Sequence, residues 1–242
     1  MRLLLIRHGD PDYENDCLTE QGEREARLLA GELAKIPVDA AYVSPLGRAR
    51  QTAQYTLDAW GMEAAVCDWL REFDSRIHRP DKEGLSIAWD WLPQDWIREE
   101  AFLDRESWMQ TDVMKEGHVE EVYRNVTDSF DAVLASHGYH RSGLLYRAES
   151  PSCDILAFFC HFGLECVLLS HLMNVSPMIL WHYTCALTSS VTSLYTEERR
   201  EGTAIFRMNA FGDTSHLYAG AEEPSFLARF CETWNQADVR HD

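Results

Sequence analysis

Near its start the chain runs Leu3-Leu4-Leu5-Ile6 straight into Arg7-His8-Gly9. A short apolar run of this length predicts a buried β-strand. The same grammar returns late, where Ile155-Leu156-Ala157-Phe158-Phe159-Cys160 leads into His161-Phe162-Gly163. Continuous apolar strands of this kind have both faces covered, the pattern of a parallel sheet flanked by helices. In such sheets ligands bind just beyond the carboxyl ends of the strands. Gly9, without a Cβ, lets the backbone turn there and come close to a ligand. Taken alone, the tripeptide reads more simply as a surface His beside a surface Arg. The rest of the chain decides.

Between these strands the elements alternate. Asp10 to Asp16 is rich in turn formers and reads as a loop. Thr19 is placed to cap a helix with Glu20 and Glu23 in its first turn. Ala26, Leu29, Ala30 and Leu33 follow at helical spacing, and Pro37 ends the pattern. A strand from Asp39 to Val43 leads to Ser44-Pro45, read as a cap followed by proline at the first helical position. That helix runs to about Trp60, with Gly61 behind it. Ser189 to Tyr195 and Thr203 to Met208 flank a polar turn and predict a hairpin; Pro224 to Trp234 reads as a closing helix. Strand, helix, strand, helix predicts a three-layer α/β sandwich, a mostly parallel sheet with helices on both faces. From about 76 to 146 the texture changes to clustered tryptophans among acidic residues. This stretch reads as a helical insertion capping the site within a single domain spanning 1–242, its tryptophans forming the cap's own core.

Charge narrows the partners. With 22 Lys and Arg against 40 Asp and Glu, the net charge of −18 argues against nucleic acid or an anionic membrane. Any site for an anion is then built locally from arginines. Seven Cys, odd in number and several in apolar runs, predict buried thiols in a reducing cytoplasm. No apolar stretch reaches transmembrane length, and the first one is too short for a signal peptide. The histidines show no metal-ligand spacing. Oligomeric state is left open.

In a parallel sheet Arg7-His8-Gly9, Ser44-Pro45 with Arg48, and His161 all fall on one edge. Helices open beside two of them, and helix N-termini favour anions. Two arginines, two histidines and helix ends make a pocket suited to a phosphoryl group.

These residues resemble the histidine phosphatase superfamily, the phosphoglycerate mutase-like enzymes. The resemblance rests on Arg7-His8-Gly9, Leu18-Thr19-x-x-Gly22, Ser44-Pro45-x-x-Arg48-Ala49-x-x-Thr52-Ala53, Leu70-Arg71-Glu72, His161, and the late Asn209 and Ser215-His216-Leu217. It implies a metal-independent phosphatase, without a cofactor, acting on a small phosphorylated metabolite through a phosphohistidine on His8. Arg7, Arg48 and His161 would hold the phosphoryl oxygens, and Glu72 would protonate the leaving oxygen. A mutase, or a non-catalytic protein that binds a phosphate ligand, is the alternative. Three departures are visible. Asp10 follows the glycine where Glu or Gln is common, Phe162 stands where a glycine is expected, and Glu14 holds the usual asparagine place with Asn15 next. Asn15 is the remaining candidate for a phosphate contact. Arg76, His78 and Arg79 are candidates for a second anion contact, a solvated loop being the other reading.

Overall fold

The computed structural model describes residues 1–226 and 232–240. In chain order the first half contains β1 (Arg2–Arg7), β2 (Pro11–Asp12), β3 (Cys17–Leu18), α1 (Glu20–Leu33), β4 (Ala40–Val43), α2 (Gly47–Trp60) and β5 (Ala65–Val66). The insertion follows with β6 (Arg76–His78), β7 (Leu85–Ile87), α3 (Pro93–Trp96), α4 (Asp112–Glu116), α5 (Val119–Ser136), β8 (Tyr139–Ser142) and β9 (Leu145–Ala148). Then come β10 (Ile155–Cys160), α6 (Phe162–Met173), α7 (Pro177–Tyr183), β11 (Val191–Arg200), β12 (Thr203–Asp213) and α8 (Ser215–Gly220).

The main sheet is ordered β5-β4-β10-β1-β11-β12-β9-β8. Its first four strands pair in parallel, and the remainder join antiparallel. The two apolar runs that predicted central strands lie side by side at its centre. Leu3, Leu4, Leu5 and Ile6 are fully buried, as are Leu156 to Cys160. Each buried Leu, Ile or Phe among them contributes about 1.5–3 kcal/mol. Alternation along β1 and β10 splits them between two cores. Leu3, Leu5, Leu156 and Phe158 face the core shared with the insertion; Leu4, Ile6, Ala157 and Phe159 face α1 and α2.

Thr19 caps α1 as predicted, accepting from the Gly22 N–H at 3.0 Å. Gly61 closes α2 in the left-handed region. The predicted hairpin forms, with strands longer than the apolar pattern indicates. Three expectations change. Helix α2 begins at Gly47, after Leu46 rather than Ser44, which frees the serine hydroxyl for another partner. The insertion is only partly helical: β6 and β7 form a small sheet, and β8 and β9 extend the main one. Trp91, Trp96 and Trp108 are buried and Trp89 half-buried, in a core shared with the main sheet rather than one of the insertion's own. The predicted closing helix from Pro224 to Trp234 lies largely outside the described residues. No described helix is long and apolar enough to cross a membrane.

Candidate active site

Strand register builds the site. Arg7 pairs with Cys160 across β1 and β10, and Val43 with Phe159 across β4 and β10. The chain therefore leaves the same sheet edge at His8, His161 and Ser44. His8 N–H donates to the Cys160 carbonyl at 3.1 Å, and Ser44 N–H to that of Phe159 at 3.0 Å. The two imidazoles meet with centroids 5.0 Å apart, and Ser44 Oγ lies 2.7 Å from His161 Nε2.

The tautomer of His8 follows from its neighbour. Its Nδ1 is 2.7 Å from the Gly9 carbonyl oxygen. A carbonyl only accepts, so Nδ1 carries the proton and Nε2 of the neutral ring keeps its lone pair. Burial, then the charges of Arg7 and Arg48, hold the pKa of His8 well below the ordinary value, so the ring is neutral. His161 is held neutral in the same way, by burial first and then by His8 and the arginines.

The turn after His8 explains two motifs at once. A Cβ on Gly9 would sit 2.8 Å from the Gly22 carbonyl oxygen, and one on Gly22 would sit 2.2 Å from that of Asp10. The loop and the start of α1 touch backbone to backbone, which only glycine allows. Gly9 N–H donates to Thr52 Oγ at 2.9 Å, and Thr52 Oγ donates to the Arg48 carbonyl at 2.8 Å. One threonine thus ties the His8 loop to α2. Ser189, whose N–H donates to the His8 carbonyl at 3.0 Å, is held in turn by His216 Nε2 at 2.8 Å.

Arg7 and Arg48 are both buried. Arg7 Nη1 donates to the Ala186 carbonyl at 2.6 Å, and its guanidinium lies 5.8 Å from the Phe162 ring centroid. Arg48, from the first turn of α2, donates from Nη1 to Asp16 Oδ1 at 2.6 Å. Two buried polar atoms here, Arg48 Nε and His161 Nδ1, have no hydrogen-bond partner. Such atoms are rare in folded proteins. A phosphoryl oxygen would satisfy Arg48 Nε, and His161 Nδ1 in the tautomer that carries its proton there.

Glu72 comes from the loop behind a 3-10 turn at Asp68–Leu70 and reaches the N-terminus of α6. Its Oε1 accepts from the N–H groups of Phe73 at 2.7 Å and Leu164 at 2.9 Å. Burial raises its pKa against the opposing pull of these amides and Arg7. A raised pKa favours the protonated form, the form that can donate a proton. Gly163 is needed here: its Cβ would fall 2.7 Å from Glu72 Oε1 and 2.6 Å from Trp89 Nε1. The glycine requirement in this chain is therefore one residue later than the family pattern, and Phe162 instead packs on Trp89.

His8, His161, Arg7, Arg48 and Glu72 are thus brought together. Asn15 is not. It is exposed, and its Nδ2 donates to Asp12 Oδ2 at 2.7 Å. Its neighbour Asp16 makes the contact with Arg48 instead. Arg79 does not serve a second anion site. It is buried against Asp81 at 2.6 Å and the Trp89 carbonyl, while His78 pairs with Glu116. The sequence pattern points to Ser44 only as a cap and does not single out Asp16, Glu25 or Glu165. Glu25 receives the Asp10 N–H and the Thr188 hydroxyl, and burial raises it to about 7. Glu165, an acid in the apolar face of α6, was the one visible signal of the three. Among the described residues no group of three or more His, Cys, Asp or Glu is placed to hold a metal ion.

The model of the histidine phosphatase superfamily (branch 1) matches residues 3–209. Phosphoserine phosphatase 1 of Hydrogenobacter thermophilus is 22% identical over 236 residues, 92% of this chain and 99% of that protein. A relative named as a second phosphoserine phosphatase of that organism is 39% identical over 186 residues, 72% of this chain and 85% of its own. Among solved structures, a phosphoserine phosphatase mutant from Entamoeba histolytica in complex with phosphoserine superposes with a TM-score of 0.60 at 18% identity, covering 89% of this chain and 98% of that one.

Proposed function

The chain belongs to the histidine phosphatase superfamily, branch 1, and on that premise we propose that it hydrolyses a small phosphomonoester through a phosphohistidine on His8. The observation that carries this reading is the tautomer of His8. With Nδ1 committed to the Gly9 carbonyl, the Nε2 lone pair is available at the sheet edge where the cations converge. A site that only binds an anion has no use for a neutral imidazole held in this way.

In the first half-reaction Nε2 forms a bond to phosphorus as the bond from phosphorus to the ester oxygen breaks. Glu72 gives its proton to that oxygen, and the alcohol leaves. Arg7, Arg48 and His161 bind the three remaining oxygens and stabilise the charge carried through the transfer. In the second half, water attacks the phosphohistidine while the Glu72 carboxylate takes its proton. Inorganic phosphate leaves and His8 returns to its starting tautomer. The phosphoserine phosphatase relatives support a phosphorylated metabolite of that size as substrate.

Assay against a panel of phosphomonoesters tests the proposal. Free phosphate released in equal amount to the dephosphorylated alcohol is expected. Isomerised phosphoester in excess of free phosphate would identify a mutase, and binding of phosphate without turnover of any ester would leave only an anion site.

A further inference from the structure

We propose that Asp16 is the positioning residue for Arg48, fixing the guanidinium so that its inner edge faces the phosphoryl group; this rests on the phosphatase reading above. The acid is held in place by several independent features. β2 and β3 pair antiparallel, Pro11 opposite Leu18 and Asp12 opposite Cys17, which closes residues 13–16 into a tight turn. Asp12 organises that turn: its Oδ1 accepts from the N–H groups of Glu14 at 3.0 Å and Asn15 at 3.2 Å. Leu18 N–H donates to Gln51 Oε1 at 2.7 Å and so anchors β3 on α2. Asp16 itself has φ +48°, a left-handed conformation that Asp tolerates better than most residues.

From there one carboxylate makes two bonds to α2. Oδ1 takes Arg48 Nη1 at 2.6 Å, and Oδ2 takes the Gly47 N–H at 2.7 Å. Gly47 makes room for this approach, since a Cβ there would lie 2.1 Å from the Asp16 carbonyl oxygen. Tyr13, from the same turn, covers the guanidinium with its ring centroid 5.3 Å away.

A carboxylate on a helix N-terminus and an arginine could equally be occupying the place of the phosphoryl group. Burial decides between the two. The Asp16 side chain is 42% exposed and that of Arg48 only 10%, so the acid meets the outer side of the guanidinium. The atom without a partner is Nε, buried like His161 Nδ1. Asp16 therefore leaves the buried donor unused and restricts the rotation of the fork that carries it. A planar fork held in one orientation loses less entropy on meeting a phosphoryl oxygen, and misplacement of such a group by about 1 Å costs about 100-fold in rate. The negative charge brought near a dianionic substrate is softened by its contact with water.

Binding of orthovanadate to Asp16→Ala and Asp16→Asn, followed by calorimetry, tests this without requiring turnover. For Asp16→Ala the expected result is a vanadate affinity about ten- to a hundredfold weaker, with kcat falling as well as kcat/KM. Asp16→Asn, which retains one acceptor oxygen, should fall between that variant and wild type. Tighter vanadate binding in Asp16→Ala would show that the acid competes for the phosphoryl place, and would overturn the proposal. So would unchanged vanadate affinity and kcat accompanied by lower thermal stability, the result of a purely structural contact. If wild type forms no phosphoenzyme, the catalytic reading fails by itself, while the vanadate series still reports on Asp16.

Discussion

Ser44 Oγ and His161 Nε2 stand 2.7 Å apart although 117 residues separate them in the chain. Ser44 Oγ also accepts the Leu46 N–H at 3.3 Å, which leaves its proton free to be donated to the imidazole. An imidazole that accepts at Nε2 carries its proton on Nδ1, the buried atom without a partner. With the serine as donor, His161 would present Nδ1–H to a phosphoryl oxygen, the role the phosphatase proposal gives it. Ser44→Ala removes that control and leaves Nε2 unsatisfied. We expect kcat/KM to fall about ten- to a hundredfold and stability to drop by about 1–3 kcal/mol, measured by steady-state kinetics and denaturant unfolding. An unaltered kcat/KM would show that the tautomer of His161 is set elsewhere.

Glu72→Gln keeps the shape of the side chain and removes its proton. On alkyl phosphates kcat should fall about 10²- to 10⁴-fold. Aryl phosphates, whose leaving oxygen needs no proton, should lose much less. The wild-type pH profile follows from the same groups. His8 stays neutral to well below 6.5, so the acidic limb lies under that value. As the proposed acid, Glu72 would have to be protonated, and its pKa is raised, so the alkaline limb is expected above the ordinary carboxyl value of 4.5. Equal losses of Glu72→Gln on both substrate classes would remove Glu72 from the role of acid.

Glu165 makes stability depend on pH. It is fully buried, and burial raises its pKa from 4.5 to about 7 against the opposing pull of Thr192 and Arg7. The unfolded chain gives up this proton at lower pH than the folded one. Stability is therefore greatest below 4.5 as far as this group is concerned, and is lost as pH rises to about 7. The full loss is about 3 kcal/mol. Glu165→Gln should flatten the decline of the melting temperature across that interval. Parallel curves for variant and wild type would show that Glu165 ionises normally.

Gly22→Ala tests the backbone contact between α1 and the His8 loop. The added Cβ would meet the Asp10 carbonyl oxygen at 2.2 Å and its nitrogen at 2.9 Å, so the loop must shift. A destabilisation of about 1–3 kcal/mol is expected, together with a fall in kcat as His8 moves. Wild-type stability in this variant would mean that the loop and helix part freely.

The strand ends were legible because the chemistry sits where an apolar run stops. Leu3 to Ile6 and Ile155 to Cys160 announce strands by composition alone, and His8 and His161 inherit their placement from parallel register. Glu72 was legible only through its family motif, since nothing local distinguishes it from Asp68 or Asp74. Within the turn from Tyr13 to Asp16, the pattern points to Asn15 and does not single out Asp16. Which one reaches Arg48 is set by the β2–β3 pairing and by the left-handed φ of Asp16. The short strands of the insertion were hidden for a similar reason. Three- and four-residue strands such as β6 and β8 carry too few alternations to stand out from turns.

The central claim is that Nε2 of His8 attacks phosphorus. Rapid-quench trapping with a 32P-labelled phosphomonoester, followed by peptide mapping, tests it most directly. The account predicts an acid-labile, base-stable phosphoenzyme at His8, formed before phosphate is released and absent in His8→Ala. Label on another residue, or turnover by His8→Ala at the wild-type rate, would contradict it.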